Sequence, residues 1–208
     1  MDKTKYKKEY NKNKKRKLFK ILFIIAVISF IIGIFYVAII SKSDKSLIKK
    51  TFDAYFLSIQ NDSFNNIDSL IGNILTNVVL TFIVWILGIS IIGIPVSVFY
   101  LIYRSFVTGF SISSLIYTYG FKGVIISIFY SFPLIINLLV FFILTFYAVN
   151  FSKKLYLYLF KKKDINLKGM TKVYTKVLIV FLIILLICSL VSSYLVPILL
   201  KSFTNFHI

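Results

Sequence analysis

ILTNVVLTFIVWILGISIIGIPVSVFYLIYRSFVTGFSISSLIYTY, residues 74–119, is nearly unbroken apolar sequence with a single charge, Arg104. An α-helix rises about 1.5 Å per residue and the hydrocarbon core of a bilayer is about 30 Å thick, so one crossing takes about 20 residues. The stretch is too long for one crossing and suits two. A break at Arg104 would leave segments of about 29 and about 15 residues, one too long and one too short. A break at Gly93-Ile94-Pro95 leaves about 20 and about 24, and proline favours a helix start. Two crossings are predicted, 74–94 and 96–119, with Arg104 inside the second, toward its cytoplasmic end.

The rest of the chain reads the same way. Of 208 residues, 59% are hydrophobic, 18% aromatic and only 15% charged, against roughly 45–50% apolar and about 25% charged in a soluble domain. Soluble globular, disordered and fibrous classes are excluded. ILFIIAVISFIIGIFYVAII, residues 21–40, carries no charge and is long enough to cross. A cleaved signal peptide would have a shorter apolar region, and Ala38-Ile39-Ile40-Ser41 is a poor cleavage site, so it reads as an uncleaved first span. Residues 124–150, interrupted by Pro133, and 177–200 supply two more, with Gly120-Phe121-Lys122-Gly123 as a tight loop before the former. The expectation is an all-α polytopic bundle of five transmembrane helices.

Twenty-five Lys and Arg stand against seven Asp and Glu, a net charge of +18. In a soluble protein that would suggest nucleic acid. Here the basic residues flank apolar runs, where they set orientation in the membrane, and no nucleic-acid partner is expected. With the N-terminus inside, the cytoplasmic side holds ten basic residues in leader 1–20, eight in loop 151–176, and Arg104. The outside holds Lys42, Lys45, Lys49, Lys50, Lys122 and Lys201. Nineteen against six predicts N-terminus in and, after five spans, a short tail 201–208 outside.

Little here can carry covalent chemistry. The single histidine is His207, next to the end, and the single cysteine, Cys188, lies among Leu and Ile in the last span. The acids lie outside the apolar runs, with no paired carboxylates and no metal-ligand spacing. Neither enzyme activity, cofactor nor metal is expected. Arg104 has two readings: an interfacial arginine that snorkels to the cytoplasm, or a buried partner for a carbonyl, a lipid phosphate or another subunit. Ser105, Gly109 and Ser113, four apart, form a small-residue row that permits close helix approach, and Ser189 and Ser193 repeat it. Such rows mostly pack spans within one chain; contact with another subunit, a second copy included, is the other use. Asn73 and Asn77 can cap the second span or bond across helices. Residues 41–73 form the one long polar segment, with four Lys and four Asp. In it Ile48, Phe52, Tyr55, Phe56 and Ile59 fall on one helical face, which predicts an amphipathic helix. Of these Ile48, Phe52, Phe56 and Ile59 are candidate docking anchors; the alternative is that the stripe rests on the outer leaflet.

Asn77, then Gly88, the run Ile89-Ser90-Ile91-Ile92-Gly93-Ile94-Pro95, Arg104, Gly109-Phe110 and Gly120-Phe121-Lys122-Gly123 together resemble the stage II sporulation protein M family. The basic leader, single first span, outside segment and terminal span also look like that family. Two positions depart from its pattern: Ser105 stands where the family commonly has glycine, and Pro133 is followed only distantly by Asn137. The resemblance implies a membrane protein of engulfment in endospore-forming bacteria, at the sporulation septum. It further implies a non-catalytic scaffold and localiser for stage II sporulation proteins D and P, which cut septal peptidoglycan. The competing class is a permease-like transporter subunit, with the third and fourth spans lining a path past Arg104.

Overall fold

The computed structural model describes residues 3–162 and 165–204, with side chains within 13–162 and 165–202. His207 and Asp164 lie outside the described residues. Every regular element described is helical: α1 (Lys3–Ile39), α2 (Lys42–Gln60), α3 (Asn66–Ile74), a π turn (Leu75–Val79), α4 (Leu80–Gly88), α5 (Gly93–Lys161), α6 (Leu167–Leu190), a second π turn (Val191–Leu195) and α7 (Val196–Thr204). Four stretches among the described residues are long and apolar enough to cross a membrane: Asn13–Ile39, Asn66–Gly88, Gly93–Lys161 and Leu167–Ser202. Helix is what this composition demands, because a backbone in lipid must satisfy its N–H and C=O groups internally.

The helices start where short polar side chains cap them. Ser41 Oγ accepts from Asp44 N at 3.2 Å, Asn65 Oδ1 from Ile67 N at 3.0 Å, and Asn166 Oδ1 from Gly169 N at 2.8 Å. Each bond satisfies an orphan amide of a first turn. Asn65 therefore starts a helix at Asn66, eight residues ahead of the apolar run that begins at Ile74. Between α4 and α5 the helix stops at Gly88 and resumes at Gly93, so the turn is 89–92 rather than 93–95. Pro95 falls in the first turn of α5, where its missing N–H breaks no helical bond.

The 69 residues of α5 would reach about 100 Å if straight, some three bilayer cores. They double back at Gly120, whose φ of 58° and ψ of −131° favour glycine. Gly123 then lets the returning chain pass: a Cβ there would sit 2.2 Å from the Leu115 carbonyl oxygen. The two arms, 93–119 and 121–161, pack antiparallel. Thr145 Oγ1 donates to the Ser97 carbonyl at 3.3 Å, and Tyr100 meets Phe141 edge to face at 5.0 Å.

Helix α1 runs parallel to the first arm in close backbone contact. A Cβ on Gly33 would lie 2.2 Å from the Phe106 carbonyl oxygen, and one on Gly109 would lie 2.2 Å from that of Phe30. Ser113 Oγ donates to the Ile34 carbonyl at 2.9 Å. The row Ser105, Gly109 and Ser113 thus lies along α1 of the same chain. Helix α6 runs antiparallel to α3 and α4, and Tyr174, Phe181 and Leu185 join Val84, Phe141 and Leu144 in one core.

Helix α2 lies across the end of the bundle marked by Gly120. Its apolar stripe is turned inward. Phe56 and Ile59 are each only 4% exposed and pack with Leu115, Ile126, Val196 and Leu200, while Phe52 and Tyr55 flank them. The expectation of a docking stripe is corrected at Phe56 and Ile59, which the bundle covers because burying them removes apolar area from water, while Ile48 and Phe52 are half-buried at its edge. Tyr119 Oη donates to Asp53 at 2.6 Å, Lys201 pairs with Asp62, and Lys45 lies 4.8 Å over the Tyr117 ring. Burial, and then the neighbouring Tyr130, hold the Tyr55 phenol above its usual range.

Gly33→Ala or Gly109→Ala should each destabilise by about 1–3 kcal/mol, because the added methyl meets backbone that must move. Gly72→Ala has nothing within 4 Å of the new Cβ and should be neutral or stabilising by up to about 1 kcal/mol. Thermal unfolding in detergent, read with a maleimide dye on the buried Cys188, checks the contrast. Equal melting temperatures for Gly109→Ala and wild type would show that the seam tolerates a wider spacing.

Candidate functional site

Arg104 is the charged group within the apolar stretch 74–119, and the fold assembles a socket around it. It lies roughly 16 Å along α5, near the middle of the first arm rather than at its end, because the helix already starts at Gly93. Its Nη2 donates to Asn77 Oδ1 at 2.7 Å and its Nε to Tyr100 Oη at 2.8 Å. The guanidinium carbon stands 4.9 Å from the Phe141 ring centre and 5.6 Å from that of Tyr100. Asn77, only 5% exposed, sits in the first π turn, and Thr81 Oγ1 donates to its carbonyl at 2.6 Å. Single π turns of this kind recur at functional sites. Arg104 is therefore held sideways between helices and does not snorkel.

The acids whose side chains are described, Asp44, Asp53, Asp62 and Asp68, all belong to 41–73, and none pairs with Arg104. A charge at a helix centre in the membrane costs about 2.5–3.5 kcal/mol on insertion scales. Two hydrogen bonds to a charged group contribute roughly 1.5–3 kcal/mol each, and a desolvated cation–π contact about 2. The neutral socket is sufficient to hold the charge without a carboxylate. The antiparallel register that sets Ser97 beside Thr145 and Tyr100 beside Phe141 brings position 137 level with 104. Asn137 is buried there and its Oδ1 has no hydrogen-bond partner.

The other expected residues act by permitting approach. A Cβ on Gly88 would lie 2.3 Å from Tyr174 Oη and 2.8 Å from Ala148 Cβ, and Ser152 Oγ donates to the Gly88 carbonyl at 2.8 Å. Gly93 faces Leu87 across the 89–92 turn, with 2.1 Å between its would-be Cβ and the Leu87 carbonyl oxygen. Ser105 is buried with its hydroxyl unpartnered. Asn73 bonds across helices: its Nδ2 donates to Ser193 Oγ at 3.0 Å, and Ser69 Oγ lies 3.2 Å from the same atom. Ser193 belongs to the second π turn, so that turn is tied to the end of α3, just ahead of the first.

Residues 74–119 therefore supply Asn77, Tyr100 and Arg104 to one site, while Gly109 and Ser113 serve the seam with α1. Gly33, Tyr100 and Phe141 were not singled out in the sequence. Ser29 and Gly33, four apart, are a small-residue signal that points to the first; Phe141 becomes visible only with the hairpin register. The socket offers hydrogen-bond donors and a fixed positive charge. Among the described residues no His, Cys, Asp and Glu cluster suited to a metal is present.

A protein-family model described as Stage II sporulation protein M matches residues 22–197 of the chain. Neither a curated protein nor a solved structure matches it.

Arg104→Lys should lower stability by about 1–2 kcal/mol, since an ammonium cannot hold Asn77 and Tyr100 together as the planar guanidinium does. A double-mutant cycle of Asn77→Ala with Arg104→Met should return a coupling of about 1–3 kcal/mol in thermal unfolding. Additive losses would place the two side chains in independent roles.

Proposed function

From the membership of this chain in the stage II sporulation protein M family, we propose that it is a non-catalytic membrane scaffold that gathers septal peptidoglycan-degrading sporulation proteins during engulfment. In this reading α1, the rod 66–88, the two arms of α5 and the rod 167–202 make five crossings, N-terminus inside and C-terminus outside, in the sporulation septum. The family implies the stage II sporulation proteins D and P as the enzymes recruited.

The observation that carries the reading is the anchored helix α2. It is clamped to the bundle by its inward stripe and by Asp53–Tyr119, and Asp62 just beyond it holds Lys201. A shelf fixed at three points presents a rigid surface outside the membrane, where peptidoglycan lies. Its outward face carries Leu47 and Leu57, 63% and 54% exposed, with Lys50, Ala54 and Asn61 at helical spacing between and beyond them. Exposed aliphatic anchors ringed by polar residues suit a protein partner. A permease-like subunit would need a path past Arg104, and Tyr100 packs edge to face on Phe141 at that level. The scaffold reading is preferred for that reason.

Leu47→Ser with Leu57→Ser should abolish co-purification of the wall-degrading partners from sporulating cells while leaving the membrane level of the protein normal. Phe52→Ser with Phe56→Ser should instead lower the protein level, since it opens the cluster beneath the shelf. Undiminished co-purification with the Leu47/Leu57 variant would defeat docking on this face.

Single cysteines at Lys45, Lys122 and Lys201, in a background with Cys188 replaced, should react with an impermeant thiol reagent in intact cells. A cysteine at Lys162 should react only after permeabilisation. Labelling at Lys162 in intact cells would reverse the orientation.

A further inference from the structure

At the end of the bundle away from α2, a cavity of about 410 Å3 opens between α1, the second arm of α5 and the start of α6. Lys15 and Lys154 line it and lie close enough to feel each other's charge. The first turn of α6 meets it at Asn166 and Gly169, adding the positive end of a helix dipole. No acid among the described residues lines it, so two cations and a helix end face one space. Its inner wall is apolar and aromatic, with Phe146, Phe151, Val173 and Tyr174. From Tyr147 and Val173 the wall continues into a groove of about 360 Å3 along the same two helices, lined by Ile143, Val177, Val180 and Phe181 with Lys176 beside them.

We propose that this composite site binds one anionic phospholipid, its phosphate between Lys15 and Lys154 and an acyl chain in the groove of Ile143, Val177, Val180 and Phe181. Two features select this occupant. The like charges need an anion, and basic pockets between membrane helices at the interface hold acidic headgroups. A water-soluble phosphate would fill the charged mouth alone, whereas the joined cavity and groove match a molecule with a charged head and an apolar tail. The site lies at the opposite end of the molecule from the docking shelf and is independent of partner recruitment. A lipid seated there ties α1, α5 and α6 together beyond Leu18, where residues 13–17 of α1 carry no apolar side chain.

The full chain, purified in detergent, is titrated with phosphatidylglycerol, with phosphatidylcholine of the same acyl chains, and with inorganic phosphate. Bound lipid is counted by native mass spectrometry, and stability is followed as melting temperature. One saturable phosphatidylglycerol adduct is expected, with a rise in melting temperature that phosphatidylcholine and inorganic phosphate do not reproduce. Lys15→Gln with Lys154→Gln should weaken the adduct about tenfold or more. Lys17→Gln with Lys153→Gln removes the same charge outside the cavity and should change it less than about twofold. Lys15→Gln alone, at an exposed position, should weaken it about fivefold and serves if the pair does not fold. Val180→Trp fills the groove and should weaken the lipid as well. Equal weakening by both lysine pairs would reduce the effect to diffuse surface charge and overturn the site. So would a phosphatidylcholine adduct of equal strength. An equal stabilisation by inorganic phosphate, unaffected by Val180→Trp, would assign the cavity to a water-soluble anion and overturn the lipid.

Discussion

The close approach of α1 to the first arm of α5 sets the spacing on which the remaining packing depends. Inside a bilayer there is no hydrophobic drive to bring two apolar helices together, because lipid tails are as apolar as leucine. What remains is dispersion at short range, and that requires backbones to touch. Gly33 and Gly109 each stand where a methyl group would strike the partner's carbonyl oxygen, at Phe106 and Phe30 respectively. Leu22, Leu101 and Phe142 close the lower part of the same seam. With α1 held there, the hairpin of α5 keeps one face for α1 and leaves another for α4 and α6.

On that second face lies Arg104. Its socket is built entirely from neutral groups: an amide oxygen from the first π turn, a phenol one turn away, and the ring face of Phe141 on the returning arm. Each comes from a different position in the hairpin or its neighbour, so the bond to Asn77 also sets the rotation of the rod 66–88 against α5. The second π turn, tied to the end of α3 through Asn73 and Ser193, extends the same constraint to the last rod. Wider turns at both places cost helical hydrogen bonds, and the polar contacts across helices compensate for them.

The two ends of the bundle are chemically unlike. At one, α2 caps the helices with an aromatic cluster and acid partners for Tyr119 and Lys201; at the other, lysines converge with no described acid beside them. On the proposed function and the proposed lipid site, the shelf meets protein at one membrane surface and the lysines hold the leaflet at the other.

A chain 59% hydrophobic, with continuous apolar runs of twenty or more residues, read as a helical membrane protein from its sequence, since such runs satisfy their backbone in lipid as helices. The asymmetry of lysines was also legible, as were Gly88, Gly93, Gly109 and Arg104 as exceptions within apolar sequence. Their partners were not. A small residue in a span announces that something comes close, while what comes close depends on the rotation and register of helices far apart in the chain. Gly109 meets Phe30 only once α1 packs on the first arm, and Arg104 meets Phe141 only once Gly120 has reversed α5. The amphipathic stripe of α2 shows the same limit: periodicity reports that Phe52, Phe56 and Ile59 must be covered, and a bundle end lined by Leu115, Ile126 and Val196 decides by what. Local pattern determines which faces are apolar; the assembled fold alone determines which of them are left for another molecule.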